Sequence, residues 1–173
     1  MFGVASFVLS TALACAPLSE RAALESPYRH VRAPDRSVRY LLKRGFTHSP
    51  TFAHLMACLE HSDVLVYVEE VARLPATLAG RMMMAPTAHG QRYVRIEIAR
   101  RGTPDESIAL LGHELQHAIE VAEEIAVDDE AGLMALYQRI GVRGGDGGDG
   151  GDHVYETLAA QDVGRMVRKE LLG

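Results

Sequence analysis

The chain has 173 residues, 47% apolar and 24% charged, which suits one domain with a real core and excludes a disordered chain. Its 18 basic and 23 acidic residues leave a net charge of −5, so no nucleic acid is expected as a partner. Two cysteines, Cys15 and Cys58, do not make a disulfide scaffold.

At the start of the chain, MFGVASFVLSTALACAPLSE carries an apolar run from Phe2 to Ala14. That run is too short to cross a bilayer but suits the apolar region of an export signal. Ala12-Leu13-Ala14 is a small-x-small cleavage pattern and Cys15 follows it directly, so residues 1–20 read as a signal peptide or a bacterial lipoprotein signal. Ala12 stands where lipoprotein signals usually carry Leu, and no Lys or Arg precedes the run. The expectation is an exported protein (periplasmic, secreted or a cell-envelope lipoprotein), attached to a membrane only through lipidation of Cys15. The alternative is a buried N-terminal core segment, and with it a cytoplasmic chain.

One domain is expected over residues 21–173. Residues 21–46 are Arg-rich and weakly structured at first, broken by Pro27, then helical or extended around Val38, Leu41 and Leu42. Pro34 interrupts the basic set Arg29, Arg32, Arg36, Arg39, Lys43 and Arg44, which argues against a membrane-binding helix. Ser49 then caps a helix with Pro50 in its first position and Phe52, Leu55, Met56 and Leu59 at helical spacing. DVLVYVEEV reads as a strand. LAGRMMMAPTAHGQRYVRIEIAR reads as two strands around a turn at PTAHG, with Val94, Ile96 and Ile98 alternating with Arg95 and Glu97. Its three methionines are expected to fill core space.

TPDESIALLGHELQHAIEVAEE opens with a capping box: Thr103 as cap, Pro104 in the first turn and Glu106 three residues on. A second helix covers Asp129 to Ile140, and GGDGGDGGD (Gly144 to Asp152) reads as a flexible linker within the domain. A last helix is expected from about His153 to Leu171. Between Arg101 and Arg139 there is no Lys or Arg but a run of acids; a bound dication would offset part of their repulsion, while a solvated acidic face accounts for most of them.

Within that region His113 and His117 lie four apart, one helical turn, with Glu114 between them. Two neutral imidazoles at this spacing can hold one zinc ion, and the carboxylate beside them can reach a zinc-activated water as a base. Ile108, Leu111, Leu115, Ala118, Ile119 and Ala122 form an apolar stripe nearly opposite the histidines. A helix packed on a sheet by that stripe presents both histidines to a cleft. His30, His48, His54, His61 and His89 show no metal spacing and read as surface or capping residues.

The chain resembles a zincin-type zinc metallopeptidase, the class built on an HExxH helix beneath a small sheet. The specific motif covers only residues 113–117, while the supporting order of strands and helices runs from about residue 49 to 173. The metzincin continuation is absent, since Glu120 and Glu123 occupy its positions. Glu120 is also too far along the helix axis to act as a ligand. The resemblance is therefore to the gluzincin type, which takes a Glu from a later helix. Glu156 in HVYETLAAQDVG is the candidate, although Tyr155 and Ala159-Ala160 depart from the flanking pattern of some branches and leave no supporting Asp at the usual position. On a helix from His153, Glu156 shares a stripe with Ala159, Ala160, Val163 and Val167, and a buried carboxylate there calls for a partner or a metal. His153 or Tyr155 is a candidate hydrogen-bond donor to the oxyanion, beside the plainer reading of both as structural residues.

The fold expected is α+β and zincin-like, with about three strands packed on the HExxH helix and four or more helices. The function expected is zinc-dependent hydrolysis of peptide or protein substrates, with His113, His117 and Glu156 as ligands and Glu114 as base. Two alternatives stand beside it: a metal-stabilised zincin-like binding or regulatory domain without turnover, and a metal-free exported helical interaction protein.

Overall fold

Three apolar rows dictate the sheet. Val64, Val66 and Val68 alternate along β2 (Val64–Val71), and Val94, Ile96 and Ile98 along β4 (Gln91–Ala99); none of the six is exposed. The two strands run parallel with Val66 opposite Val94, so both rows face the same side. Val31 joins that row from β1 (Val31–Arg32), paired with Val66. The structure, a computed structural model, describes residues 28–75, 78–143 and 155–173. The signal-like segment with Cys15, and the Gly/Asp tract at 144–152, lie outside the described residues.

β3 (Gly80–Ala88) pairs antiparallel with β4 and completes a mixed sheet in the order β1-β2-β4-β3. Ala88 pairs with Gln91, so the hairpin turns on His89 and Gly90, both at positive φ. That geometry matches the right-handed strand twist and favours Gly at the second position. The protein is α+β. Its sheet has four strands rather than about three: β1 is two residues long, and a single apolar residue amid arginines gives no alternation to read.

Five helices are described: α1 (Arg36–His48), α2 (Pro50–Glu60), α3 (Pro104–Glu123), α4 (Glu130–Ile140) and α5 (Leu158–Leu172). Ser49 and Pro50 start α2 as expected, with the Ser49 Oγ accepting from the Phe52 N–H. α1 begins after Pro34, so the proline does not interrupt the basic helix: Arg36, Arg39, Lys43 and Arg44 all lie on it. Leu41 and Leu42 are helical and buried beside Val38 and Gly45. Phe52, Met56, Ile108, Leu111 and Leu115 pack with the strand rows into one core. The methionines fill it only in part: Met82 and Met84 are half-buried against the core, and Met83 points to the opposite face of the edge strand.

A second short pairing joins β5 (Val142–Arg143) to β6 (Tyr155–Glu156), antiparallel. Glu156 therefore lies on a strand, and α5 begins two residues later. The expected helix from His153 is overturned here. Thr157 is the true cap, its Oγ1 accepting from the Ala160 N–H at 3.1 Å, and a capping residue takes extended backbone that ends any helix running into it. The stripe argument for Glu156 falls with that helix.

Arg92 ties the sheet to α3. The residue is 4% exposed and forks onto both oxygens of Asp63 at 2.7 and 2.8 Å. Its remaining donors reach the carbonyls of Val121, Ala122, Glu124 and Val127, which end α3 and begin the following loop. The Val121 and Glu124 carbonyls also accept from the Glu124 and Val127 N–H groups, so the guanidinium adds a second donor to the backbone turns that close α3.

Candidate metal centre

The capping box sets the register of α3. The Thr103 Oγ1 accepts from the Glu106 N–H, and the Glu106 carboxylate accepts from the Thr103 N–H at 2.8 Å. From that start Ile108, Leu111, Leu115 and Ala118 fall on the core side with no exposure. The opposite side is covered by α5 and is not an open solvated face. Small residues bring the two helices together: a Cβ on Gly112 would lie 2.9 Å from the Val167 side chain, and one on Gly164 3.5 Å from the Ala109 carbonyl. His113 and His117 are thereby enclosed between α3, α5 and β6.

The structure brings His113, His117 and Glu156 together, one ligand atom from each lying within 4.8 Å of the others. One carboxylate oxygen, Oε1 of Glu156, faces both rings: the Nε2 of His113 at 3.4 Å and the Nε2 of His117 at 3.8 Å. Donors on a tetrahedral zinc with bonds of about 2.0–2.1 Å stand roughly 3.3 Å apart, so the spacing fits that ion with little movement. The His117 side chain is 5% exposed, and those of His113 and Glu156 20% each, so the group opens to solvent on one side.

Each imidazole is backed on its Nδ1 side. The Nδ1 of His113 lies toward α5, beside Gly164. The Nδ1 of His117 meets the Glu120 carboxylate at 2.8 Å. An acceptor there places a ring proton on the His117 Nδ1 and turns its Nε2 toward Glu156. Glu120 is itself 8% exposed, and its other oxygen accepts from the Thr157 hydroxyl at 2.6 Å. One buried carboxylate thus holds both His117 and Thr157, the residue next to Glu156. Glu120 lies behind the group of donors rather than within it, in the supporting place for which the sequence offered no Asp. Glu120→Ala is expected to weaken zinc binding 10–100-fold, read by competition with a chromogenic chelator. Replacing the exposed Glu123 by Ala should leave binding unchanged.

Burial, then the neighbouring His117, lower the His113 pKa. For His117 burial acts in the same direction but is outweighed by the bond to Glu120 and by Glu114 and Glu156, which leave its pKa raised. Tyr137 of α4 meets the His117 ring edge-on at 5.3 Å. Burial first, and the Glu120 and Glu114 charges after it, push its hydroxyl far up, so it remains a neutral phenol.

Glu114 stands outside the ligand group, 5% exposed, against Gly80 of the edge strand. A Cβ at Gly80 would come within 2.6 Å of the Glu114 Oε1, so glycine leaves the room that the carboxylate occupies. Burial raises the Glu114 pKa to about 7, with the nearby Glu156 adding to the rise and His117 opposing it. That value suits a group which must both take and return a proton near neutrality.

His153 lies outside the described residues, as does the side chain of Tyr155; the Tyr155 backbone is in β6. Thr157, Tyr137 and Gly80 complete the surroundings without having been singled out in the sequence, and Glu120 was weighed there only as a ligand. For Glu120 a signal exists: it lies three residues after His117, on the same face of the helix. Comparison with protein families, with curated proteins and with solved structures finds no match for this chain.

Proposed function

We propose that this protein is a zinc-dependent hydrolase on a zincin-like fold, gluzincin-like in its donor set, and that it cleaves peptide bonds. The observation that carries the reading is a partly exposed group of two Nε2 atoms and a carboxylate with a second, buried carboxyl, Glu114, beside it. Zinc, when bound by His113, His117 and Glu156, supplies Lewis acidity to a carbonyl and to a water molecule. Glu114 takes the proton from the water that attacks the carbonyl carbon. It then returns that proton to the leaving nitrogen as the C–N bond breaks. Glu120 and Thr157 keep the donors aimed, so little reorganisation precedes the reaction.

The edge of the sheet supports a peptide as substrate. The Met84 N–H points away from β4 and donates to the Glu130 carboxylate at 2.8 Å. By two-residue alternation the backbone groups of Met82 and Gly80 point outward too, and Gly80 touches Glu114. An extended chain can pair with such an edge and bring its carbonyl to the base.

Protein purified without added zinc is expected to hold about one ion per chain, and Glu156→Ala to lose it on dialysis. A metal-free wild type, or a Glu156 variant that binds zinc like wild type, overturns the ligand set. With the metal in place, cleavage of a broad peptide library by wild type but not by a Glu114 variant separates a hydrolase from a metal-stabilised binding domain.

A further inference from the structure

The outer edge of β3 is open near Gly80 and closed further along. The Ala99 N–H donates to the Ala79 carbonyl, so by alternation Gly80 and Met82 turn their backbone groups away from β4. At Met84 that edge is already occupied. The Glu130 carboxylate, from the first turn of α4, accepts the outward N–H at 2.8 Å. Three residues on, the Thr87 hydroxyl donates to the Asp128 carbonyl at 3.1 Å, so the segment entering α4 meets the strand a second time. A chain laid along the edge can therefore pair at Gly80 and Met82 but has no free donor at Met84. Glu130 is exposed, and among the described residues it makes no ion pair. The chain itself has no Lys or Arg between Arg101 and Arg139 to supply one.

We propose that Glu130 binds the α-ammonium group of a peptide substrate, so that the reaction removes a short unit from the N-terminus. The inference deepens the hydrolytic reading and rests on it. A guest chain antiparallel to β3 has its N-terminus toward Met84 and its later residues toward Gly80, where Glu114 stands. The Glu130 oxygen sits where the carbonyl of a guest residue opposite Met84 would accept, so the guest has to begin opposite Met83. Its first nitrogen then brings three N–H donors and a positive charge to a carboxylate that no cation of the chain answers. About three residues fit between that start and a carbonyl beside Glu114. A guest running the other way would set its C-terminal carboxylate against Glu130, and like charges disfavour that direction. On hydrolysis the water oxygen joins the carbonyl carbon, and the short unit leaves as a carboxylate. The proton held by Glu114 goes to the nitrogen of the remainder as the C–N bond breaks.

The test uses the zinc-loaded full chain and one mixed set of decapeptides in two forms, with free and with acetylated N-termini. Retention on immobilised Glu114→Gln protein, which does not cut them, is quantified by mass spectrometry, and the same instrument maps cleavage by wild type. Free N-termini are expected to be retained about tenfold more tightly than acetylated ones. Wild type should release units of about one to three residues from the free N-terminus. Adding Glu130→Gln should erase the preference, because its amide oxygen still accepts from Met84 but carries no charge. Glu130→Ala also uncovers the Met84 N–H, and should move cleavage deeper into the chain and admit the acetylated form. Equal retention of the two forms, no retention of either, or a preference that survives Glu130→Gln overturns the proposal. Wild-type cleavage at internal bonds of acetylated peptides overturns it too, while leaving the hydrolytic reading standing. A preference erased by Glu130→Gln in a protein that cuts neither form does the reverse: it supports amine recognition by Glu130 and removes the hydrolytic reading.

Discussion

Glu114→Gln is expected to abolish peptide hydrolysis while leaving the metal content near one ion per chain, and to stabilise the metal-free protein at alkaline pH. The loss of turnover follows from removing the base, an effect of about 10²–10⁴-fold or more where one group serves in both proton transfers. Retention of the metal follows from Glu114 lying outside the ligand group. The stability change follows from burial. A carboxyl moved from 4.5 to about 7 binds its proton more tightly in the folded than in the unfolded chain. The stability contributed by neutral Glu114 is fully present below pH 4.5 and is lost as pH rises through about 7. That loss corresponds to about 3 kcal/mol, and an uncharged amide does not suffer it. Urea denaturation of metal-free wild type and variant should show a gap near zero at pH 4.5 that opens to about 3 kcal/mol at pH 8. A gap independent of pH would show that Glu114 is not the buried titrating carboxyl.

Arg92→Met should cost about 3–5 kcal/mol of stability, the largest loss from any one side chain away from the apolar core. The substitution leaves the Val127 carbonyl without its Arg92 donor, leaves those of Val121 and Glu124 with one backbone donor each, and removes both bonds to Asp63. Arg92→Lys should recover less than half of the loss, because an ammonium has three donors and cannot fork onto a carboxylate while serving a ring of carbonyls. The midpoint of urea unfolding measures both. An Arg92→Met protein within 1 kcal/mol of wild type would mean that water caps α3 equally well. The Asp63 carboxyl is held below its usual range by its bond to Arg92, so that part of the pairing is present above the ordinary Asp range and fades as pH falls through the lowered value.

How legible the protein was in its sequence depended on how local each signal is. The capping box at Thr103, the cap at Ser49, their N1 prolines, the β2 strand and the alternation in β4 all act within a few residues, and the structure has them where they were expected; the turn expected over PTAHG narrows to His89-Gly90. Val31–Arg32 was not legible, because a two-residue strand exists only through its pairing with Val66 and Tyr67. The proximity of His113, His117 and Glu156 was expected, but for the wrong local reason: Glu156 comes from β6, and Thr157 decides where α5 starts. Arg92 gave no warning. Its carbonyl partners come from the end of a helix far along the chain, and no pattern around position 92 encodes them.

The two histidines are one helical turn apart, while Glu156 arrives only when β6 pairs with Val142 and α5 packs on α3. An unfolded chain can offer a metal ion the histidine pair but not the third donor, so affinity for the ion and completion of the fold are the same event. If zinc binds there as proposed, it would act as a thermodynamic reserve: at a concentration 100 times the dissociation constant the folded chain would gain about 2.7 kcal/mol, and each further tenfold about 1.4 kcal/mol. The lifetime of the protein, and not only its chemistry, would follow the zinc supply of its surroundings. On that reading, limited proteolysis near β6 is expected to speed up when zinc is withdrawn.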